Sequence, residues 1–570
     1  MKDFHKNSFV DYLDQFNVLS PNHSKIYDEY TYDKGKDSYT FTIETRVESY
    51  LREIFASNPQ SVILTGNAGD GKTRLCRSVY NFFDEQGLVD WPESGIIEVE
   101  FQHGKIRMVK DLSELTEDII LTELRSLQNN IVNNHEHKVY YLIAANEGKL
   151  TKFLSQNNEL TYLREAVKQR FKSHESNDGT FSIINLLDVT SSLYVEKVLD
   201  EWNKESNWSV CDACPKQKAC IINLNHQRSS QKVVRDRLVE QYRFLDYLGS
   251  HITMREMLIH ISYLLTGGLT CKDVLDANYE ELKVQLDKPY YENFYGHNVE
   301  HEAFSDMRAI KLFRELDPGK YSDSSIDDFI VNGDISGSEE LEALHEGMFD
   351  DSLDLYLGYF KKRLDIYRNH NKDSNDTLIE DWIEKLRRKF YFEFPSEEFF
   401  NRKNLIPFKF VGDFDELFGD PRKQGSVRAD LMTGINRAFS KKLVDSKVPL
   451  VATSENLMIH STIVSGQIRL LEENERKDID HRSSKLFFVI RRMGKDAKLP
   501  LNLYVFEYLM RLSSGDTHNI LREDVEILLD TFRNELIKGT EPDPYAYTLD
   551  ILRLDKDKGL YVQDDIQILS

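Results

Sequence analysis

The sequence predicts an α/β fold with a parallel sheet toward the N-terminal end, followed by a large, mainly helical remainder. Three observations carry that reading. A complete GxxxxGK[ST] loop, Gly66-Asn67-Ala68-Gly69-Asp70-Gly71-Lys72-Thr73, directly follows the apolar run Ser61-Val62-Ile63-Leu64-Thr65. Apolar runs that suit buried strands then alternate with stretches of helical periodicity, the pattern of a parallel sheet. From residue 355 onward helical spacing dominates.

Taken in order, Thr42, Ile43, Val47, Tyr50, Leu51, Ile54 and Phe55 recur at helical spacing and predict a helix before the loop strand. After the loop, a helix carries Leu75, Cys76, Val79 and Phe82. Residues 95–101 and 105–110 alternate as a strand pair turning near His103-Gly104. A helix is expected from Leu112 to Asn130. Val139–Ala145 is apolar throughout, as a central parallel strand should be. A helix from Leu150 to Phe171 and a strand over Phe181–Leu187 complete the alternation. His251-Ile252-Thr253-Met254-Arg255-Glu256 opens a further helix with a Thr-x-x-Glu capping box. Residues 322–354 are acidic and turn-rich and read as a solvated loop or insertion, with a docking strip for a basic partner as the alternative. Helical runs around Tyr356–Phe360, Trp382–Leu386, Leu503–Leu512 and Val525–Leu536 follow, and Leu552–Leu554 with Leu560–Val562 suit a terminal hairpin.

At 570 residues the chain has room for about two to four domains with real cores. The expected division is an α/β core with N-terminal helices over 1–200, a Cys-rich insertion and helical lid over 201–275, and the mainly helical region over 276–570. No apolar stretch approaches the ~20 residues that span a bilayer, and the N-terminus is amphipathic and acidic rather than signal-like, which predicts a cytoplasmic chain. The formal net charge of −23 repels nucleic acid over the surface as a whole, so DNA contact would need a local basic patch or a partner. Lys361-Lys362-Arg363, Arg387-Arg388-Lys389 and Arg491-Arg492 are short basic clusters that read as solvated faces rather than DNA contacts.

The loop carries the strongest chemical signal. Its glycines let main-chain N–H groups turn inward on phosphates, Lys72 would reach the β- and γ-phosphates, and the Thr73 hydroxyl would take Mg²⁺. The phosphates of ATP would sit at the following helix N-terminus, beside Arg74. The bland alternative is a glycine-rich turn with no ligand. Hydrolysis also needs carboxylates at neighbouring strand ends. Glu147, after the run from Val139, is the expected catalytic carboxylate that positions water. Asp111 is a candidate for Mg²⁺, although Asp111-Leu112-Ser113-Glu114 also fits a capping box. Asn146 stands where an Asp is usual; read as a γ-phosphate sensor, it would leave the metal to Asp111. Arg255 lies in the first turn of its helix, where the helix dipole disfavours a cation unless an anion is bound. It resembles the lid arginine that touches the γ-phosphate in AAA+ ATPases; the alternative is a solvated surface arginine. Arg228, Arg235, Arg237 and Arg243 are candidates for an arginine finger offered to a neighbouring subunit.

Three of five cysteines cluster as Cys211-x-x-Cys214-x5-Cys220, with His226 six residues later. Such thiolates and an imidazole can close a tetrahedral Zn²⁺ site. The alternatives are three reduced thiols in a loop packed against Trp202 and Trp208 and, against the lack of a thioredoxin-like βαβ context, a redox pair.

Together GNAGDGKT, KDLSEL over 110–115, AANEGKL over 144–150, the CDAC cluster and HITMRE resemble the DptF-type ATPases of phosphorothioation-dependent restriction, over residues 40–275. The resemblance implies an AAA+-like ATPase of bacterial phage defence, acting with other restriction-system subunits on DNA that lacks the sulfur modification. Gly66, Gly71, Lys72 and Thr73 carry over directly. No nuclease constellation is evident, so DNA cleavage is expected of a partner, and DNA is expected to be met through a complex; a homo-oligomer is also open. The leading expectation is an ATP-driven motor or switch. The alternatives are an ATP-binding signalling scaffold with little hydrolysis and, against the long helical remainder, a P-loop kinase.

Overall fold

Strand β1 (Ser61–Thr65) is buried at every residue, which suits a run of Val, Ile and Leu with neighbours on both edges. In the computed structural model it lies in a five-stranded sheet of order β2-β3-β4-β1-β5, where β2 is Ile96–Phe101, β3 Gly104–Val109, β4 Val139–Ala145 and β5 Phe181–Asn185. The structure describes residues 6–21, 23, 43–133, 135, 137–173, 179–299, 301–333, 337–348, 376–454, 456–460, 465–492, 495–516, 522–538 and 548–567. β1 pairs parallel with β4 and β5, β3 pairs parallel with β4, and β2 runs antiparallel to β3 at the edge. The fold is therefore mixed α/β with a mostly parallel sheet. Among the described residues no helix is long and apolar enough to cross a membrane.

Among the described residues the helices through Trp202 are α1 (Ser8–Asp14), α2 (Arg46–Ser57), α3 (Lys72–Phe83), α4 (Glu117–Val132), α5 (Glu147–Gln156), α6 (Thr161–Ser173) and, after β5, α7 (Ser191–Trp202). Ile63, Tyr141, Ile143 and Ile183 alternate along their strands and meet Leu124, Leu127, Phe153 and Leu163 in one buried cluster. That layer fixes the positions of the strand tips. The expected helix over Leu112–Asn130 begins only at Glu117, because Asp111 caps a short 3₁₀ turn over Leu112–Glu114. Glu114 pairs with Lys110 at 3.2 Å. The expected helix over Leu150–Phe171 is two, α5 and α6, broken by a turn at Asn158–Leu160. After α7 come α8 (Glu205–Trp208), α9 (Ile221–Ser229), α10 (Lys232–Tyr247), α11 (Met254–Thr266) and α12 (Cys271–Asp276).

The chain divides into two compact units: Met1–Arg243 with His251–Leu405 and Arg476–Arg482, and Phe244–Ser250 with Ile406–Glu475 and Ser483–Ser570. The boundaries expected at 200 and 275 fall inside the first unit. In that unit the acidic stretch at 322–354 is not a solvated loop over its described part. It forms helices Ser324–Asn332 and Glu339–Met348, which bury Phe329, Ile330, Leu341 and Met348. Their apolar residues recur at helical spacing beneath the acidic composition. The basic cluster Arg387-Arg388-Lys389 is likewise not a solvated face: Arg388 and Lys389 are buried and paired. The runs at Tyr356–Phe360 and Lys361–Arg363 lie outside the described residues.

The second unit adds strands, beyond the expected terminal hairpin, to the helices expected over 276–570. Helices Pro421–Ser440, Leu503–Ser513 and Glu523–Lys538 are joined there by two sheets. One, of order β12-β11-β7-β6, comprises β6 (Leu450–Thr453), β7 (Leu457–His460), β11 (Thr548–Asp555) and β12 (Leu560–Gln567). The other is the antiparallel set β8 (Ile468–Glu472), β9 (Leu486–Arg492) and β10 (Lys495–Leu501). Strands β11 and β12 form the expected terminal hairpin, longer at both ends.

Candidate functional site

Parallel sheets gather their ligands at the carboxyl ends of the strands, where the chain order switches direction across the sheet. Here the tips of β1, β4 and β5 are level, with Thr65 opposite Ala145 on one side and Asn185 on the other. Val109 of β3 stands opposite Ile143, so continuing that register brings Asp111 level with Ala145. The Gly66–Thr73 loop leaves β1 at this edge and enters α3.

Each loop glycine is required for a different reason. A Cβ at Gly66 would fall 2.7 Å from Asp70 Oδ2 and 3.1 Å from Leu186 Cβ. At Gly69, with φ +98°, it would fall 3.1 Å from Arg255 Cβ. Gly71 caps α3 in the left-handed region at φ +83°, and a Cβ there would meet nothing within 4 Å. The loop is thus packed against protein at Gly66 and Gly69 and open at Gly71.

The Lys72 side chain folds back over the loop. Its Nζ donates to the carbonyls of Asn67 at 2.7 Å and Gly66 at 3.0 Å, and the residue is only 6% exposed. Burial pushes its pKa down, and the nearby Asp111 and Asp70 carboxylates oppose that shift. Asp111 is half-buried, and its Oδ1 accepts from the Ser113 N–H at 2.7 Å. Asp70 Oδ2 accepts from the Asn67 N–H at 2.6 Å, while its Oδ1 lies 2.8 Å from His251 Nε2.

A second element closes on the loop from α11. Thr253 and Glu256 form the expected capping box, with Glu256 accepting the Thr253 N–H at 2.9 Å. That cap holds the Arg255 N–H 3.1 Å from the Gly69 carbonyl. The Arg255 charge is felt at Lys72. The structure therefore brings Gly66–Thr73, Asp111 and Arg255 together, and adds His251, which sequence reasoning treated only as a helix-opening residue. Its contact is with Asp70, far away in sequence, so no local signal marks it.

Glu147 is the first residue of α5, half-buried at the tip of β4. Asn146 caps that helix, its Oδ1 accepting from the Lys149 N–H at 3.2 Å. Lys149 Nζ in turn reaches the Ser113 carbonyl at 3.0 Å, joining the β4 tip to the turn that holds Asp111. Arg74 and Thr73 are half-buried in the first turn of α3. Thr65 Oγ1 donates to Asn185 Oδ1 at 3.2 Å across the β1–β5 tips. Just beyond β5, Asp188 pairs with Arg476 at 2.6 Å, which brings part of the distant segment Arg476–Arg482 to this edge.

The arginine-finger candidates are engaged within the first unit. Arg228 pairs with Glu393 at 3.1 Å, Arg235 with Asp200 at 2.6 Å, and Arg237 donates to the carbonyls of Tyr391 and Phe394. Arg243 also has an interaction partner.

In the Cys-rich segment, the His226 ring stacks on Trp208 with centroids 4.2 Å apart, and its Nδ1 lies 3.1 Å from Asn203 Oδ1. Burial pushes its pKa down to about 4. Cys211, Cys214 and Cys220 are reduced and half-buried. Among the described residues, no three His, Cys, Asp or Glu side chains stand in a metal-holding arrangement as placed.

Compared with protein-family models, curated proteins and solved structures, the chain gives no match.

Proposed function

We propose that the chain is an Mg²⁺-dependent ATPase of AAA+-like, P-loop type, working as a motor or switch subunit of a DNA-restriction defence complex. The observation that carries the ATP reading is the buried Lys72 ammonium at the tip of β1, held by loop carbonyls within the field of Asp111. In a P-loop such a lysine exchanges its carbonyl partners for phosphate oxygens, and the open side of the loop at Gly71 leaves room for them. Thr73 and Asp111 would hold Mg²⁺, Glu147 would position the attacking water, and Arg255 would report the γ-phosphate through α11. The restriction role rests on the motif resemblance alone, as do the partner subunits and contact with DNA through them.

The test is ATP turnover, with and without DNA, for wild type, Lys72→Ala, Asp111→Asn and Glu147→Gln, alongside nucleotide binding. Expected is wild-type turnover that falls by about 10²-fold or more in Glu147→Gln with ATP still bound, and loss of ATP binding in Lys72→Ala. Turnover that survives Glu147→Gln and collapses in Asp111→Asn would move the catalytic role to Asp111. Nucleotide bound without turnover in the wild type would favour the scaffold reading, which the use of Asn146 as a helix cap also suits.

A further inference from the structure

His251 stands just before the Thr253 cap of α11, and its ring meets the Gly66–Thr73 loop. Nε2 lies 2.8 Å from Asp70 Oδ1. A carboxylate only accepts, so Nε2 carries the ring proton and donates it. Among the described residues Nδ1 is buried and makes no hydrogen bond, which leaves Asp70 to fix the ring. The main chain of His251 is held to α11 as well. Its carbonyl accepts from Arg308 Nη1 at 3.1 Å, and the same Nη1 lies 3.2 Å from Glu256, the acid of the α11 capping box. His251 therefore moves with α11.

On the loop side, Asp70 passes that constraint to one peptide unit. Its other oxygen, Oδ2, accepts the Asn67 N–H at 2.6 Å, and the Gly66 carbonyl of the same peptide accepts from Lys72 Nζ at 3.0 Å. A trans peptide is planar and points its N–H and C=O in opposite directions, so turning one end toward Asp70 turns the other toward Lys72. The carboxylate lies close against Gly66, where a Cβ would fall 2.7 Å from Oδ2. We propose that His251 is a positioning residue of the loop, which through Asp70 and the Gly66–Asn67 peptide sets the seat of Lys72 and ties it to α11. The inference rests on the reading of this loop as a nucleotide site. Within that reading, losing the His251 bond frees Asp70 to rotate, the peptide loses its fixed orientation, and the lysine meets phosphate from a loop that is no longer preorganised. Nucleotide affinity then depends on where α11 sits, by a route separate from the Arg255 N–H bond to the Gly69 carbonyl.

Amide exchange and ATP binding on the full chain test this together. In nucleotide-free protein, His251→Ala should speed exchange at the Asn67 amide about tenfold, the scale of losing one hydrogen bond to a charged group. His251→Gln, whose side-chain amide can donate to Asp70, should stay within about twofold of wild type. ATP affinity should follow the same order: about tenfold weaker in His251→Ala, recovered in His251→Gln, and no weaker in Asp70→Ala with His251→Ala than in Asp70→Ala alone. Lost packing would produce neither the glutamine rescue nor the silence of His251→Ala in the Asp70→Ala background. Should His251→Ala not fold, His251→Leu, which keeps the bulk and lacks the donor, replaces it with the same expected values. An Asn67 amide that exchanges alike with and without the His251 donor overturns the inference, as does an ATP affinity that its loss leaves unchanged. Failure of the nucleotide reading looks different: wild type then binds no ATP, and exchange at Asn67 still decides whether His251 orders the loop.

Discussion

At Lys72 burial and charge oppose each other, and the loop's glycines decide whether that balance can exist. Desolvation disfavours the ammonium, while Asp111 and Asp70 favour it. The side chain can fold onto the Gly66 and Asn67 carbonyls because the main chain turns through φ values that side chains with a Cβ resist. Gly69 and Gly71 separate two consequences of that turn. Alanine at either position strains the backbone, by about 1–2 kcal/mol. Only at Gly69 does the new methyl group also meet a neighbour, at 3.1 Å from Arg255 Cβ and 3.2 Å from Thr253 Oγ1. Gly69→Ala should therefore break the Arg255 N–H bond to the Gly69 carbonyl, and Gly71→Ala should preserve it. Amide hydrogen exchange at Arg255 measures this directly. Equal exchange rates in the two variants would show that α11 does not rest on the loop in solution. The glycine pattern, Lys72 and the Thr253–Glu256 box were legible in the sequence because each is set by neighbours within a few residues. His251 was not, since its partner Asp70 is brought to it by the fold.

Among elements, the same distinction separates what periodicity reveals from what it hides. β1, β4 and β5 are buried on both faces and read as continuous apolar runs, so they were located to within a few residues. Strands β6 and β7 have four residues each, and their pairing shifts register between Leu450 and Ala452, so little period-2 signal accumulates. Strand β10 contains Pro500, which argues against a strand in sequence but is tolerated at the edge of its sheet. Helix contacts leave their own mark at Gly434, in the helix Pro421–Ser440. A Cβ there would fall 2.2 Å from the Leu509 carbonyl oxygen of the helix Leu503–Ser513. Neither main chain can yield without moving its helix. Gly434→Ala, which otherwise favours helix, should destabilise the protein by about 1–3 kcal/mol. Chemical denaturation checks it, and a variant at least as stable as wild type would mean the two helices do not approach at this point.

At the scale of the whole chain, the net charge of −23 suggests a surplus of solvated carboxylates, yet several of the acids hold the interior of the first unit together. The helix Asp376–Glu393 turns Arg388 inward, where it donates to Asp317 at 2.8 and 3.0 Å and to Glu292 at 2.9 Å. Lys389 and Arg228 share Glu393, and Arg387 grips Asp327 through two bonds of 2.7 Å. Read locally, the basic triplet looked solvated because every one of its partners except Glu384 and Glu393 is remote in sequence. Asp317 shows what this arrangement does with pH. Burial pushes its carboxyl up, but His297 at 2.8 Å and Arg388 outweigh burial and hold it at about 2, below the ordinary 3.8. A depressed folded-state pKa means that protons favour the unfolded chain. The stabilisation is full above pH 4 and is lost as the pH falls toward 2; the shift corresponds to about 2 kcal/mol. Asp317→Asn removes that dependence and leaves Arg388 with less charge to face, at a cost of about 3–5 kcal/mol near neutral pH. Urea midpoints measured between pH 5 and pH 2 should therefore fall more steeply for wild type than for Asp317→Asn. Parallel slopes would show that Asp317 titrates alike in the folded and unfolded chains and that the Arg388 pairing does not govern acid stability.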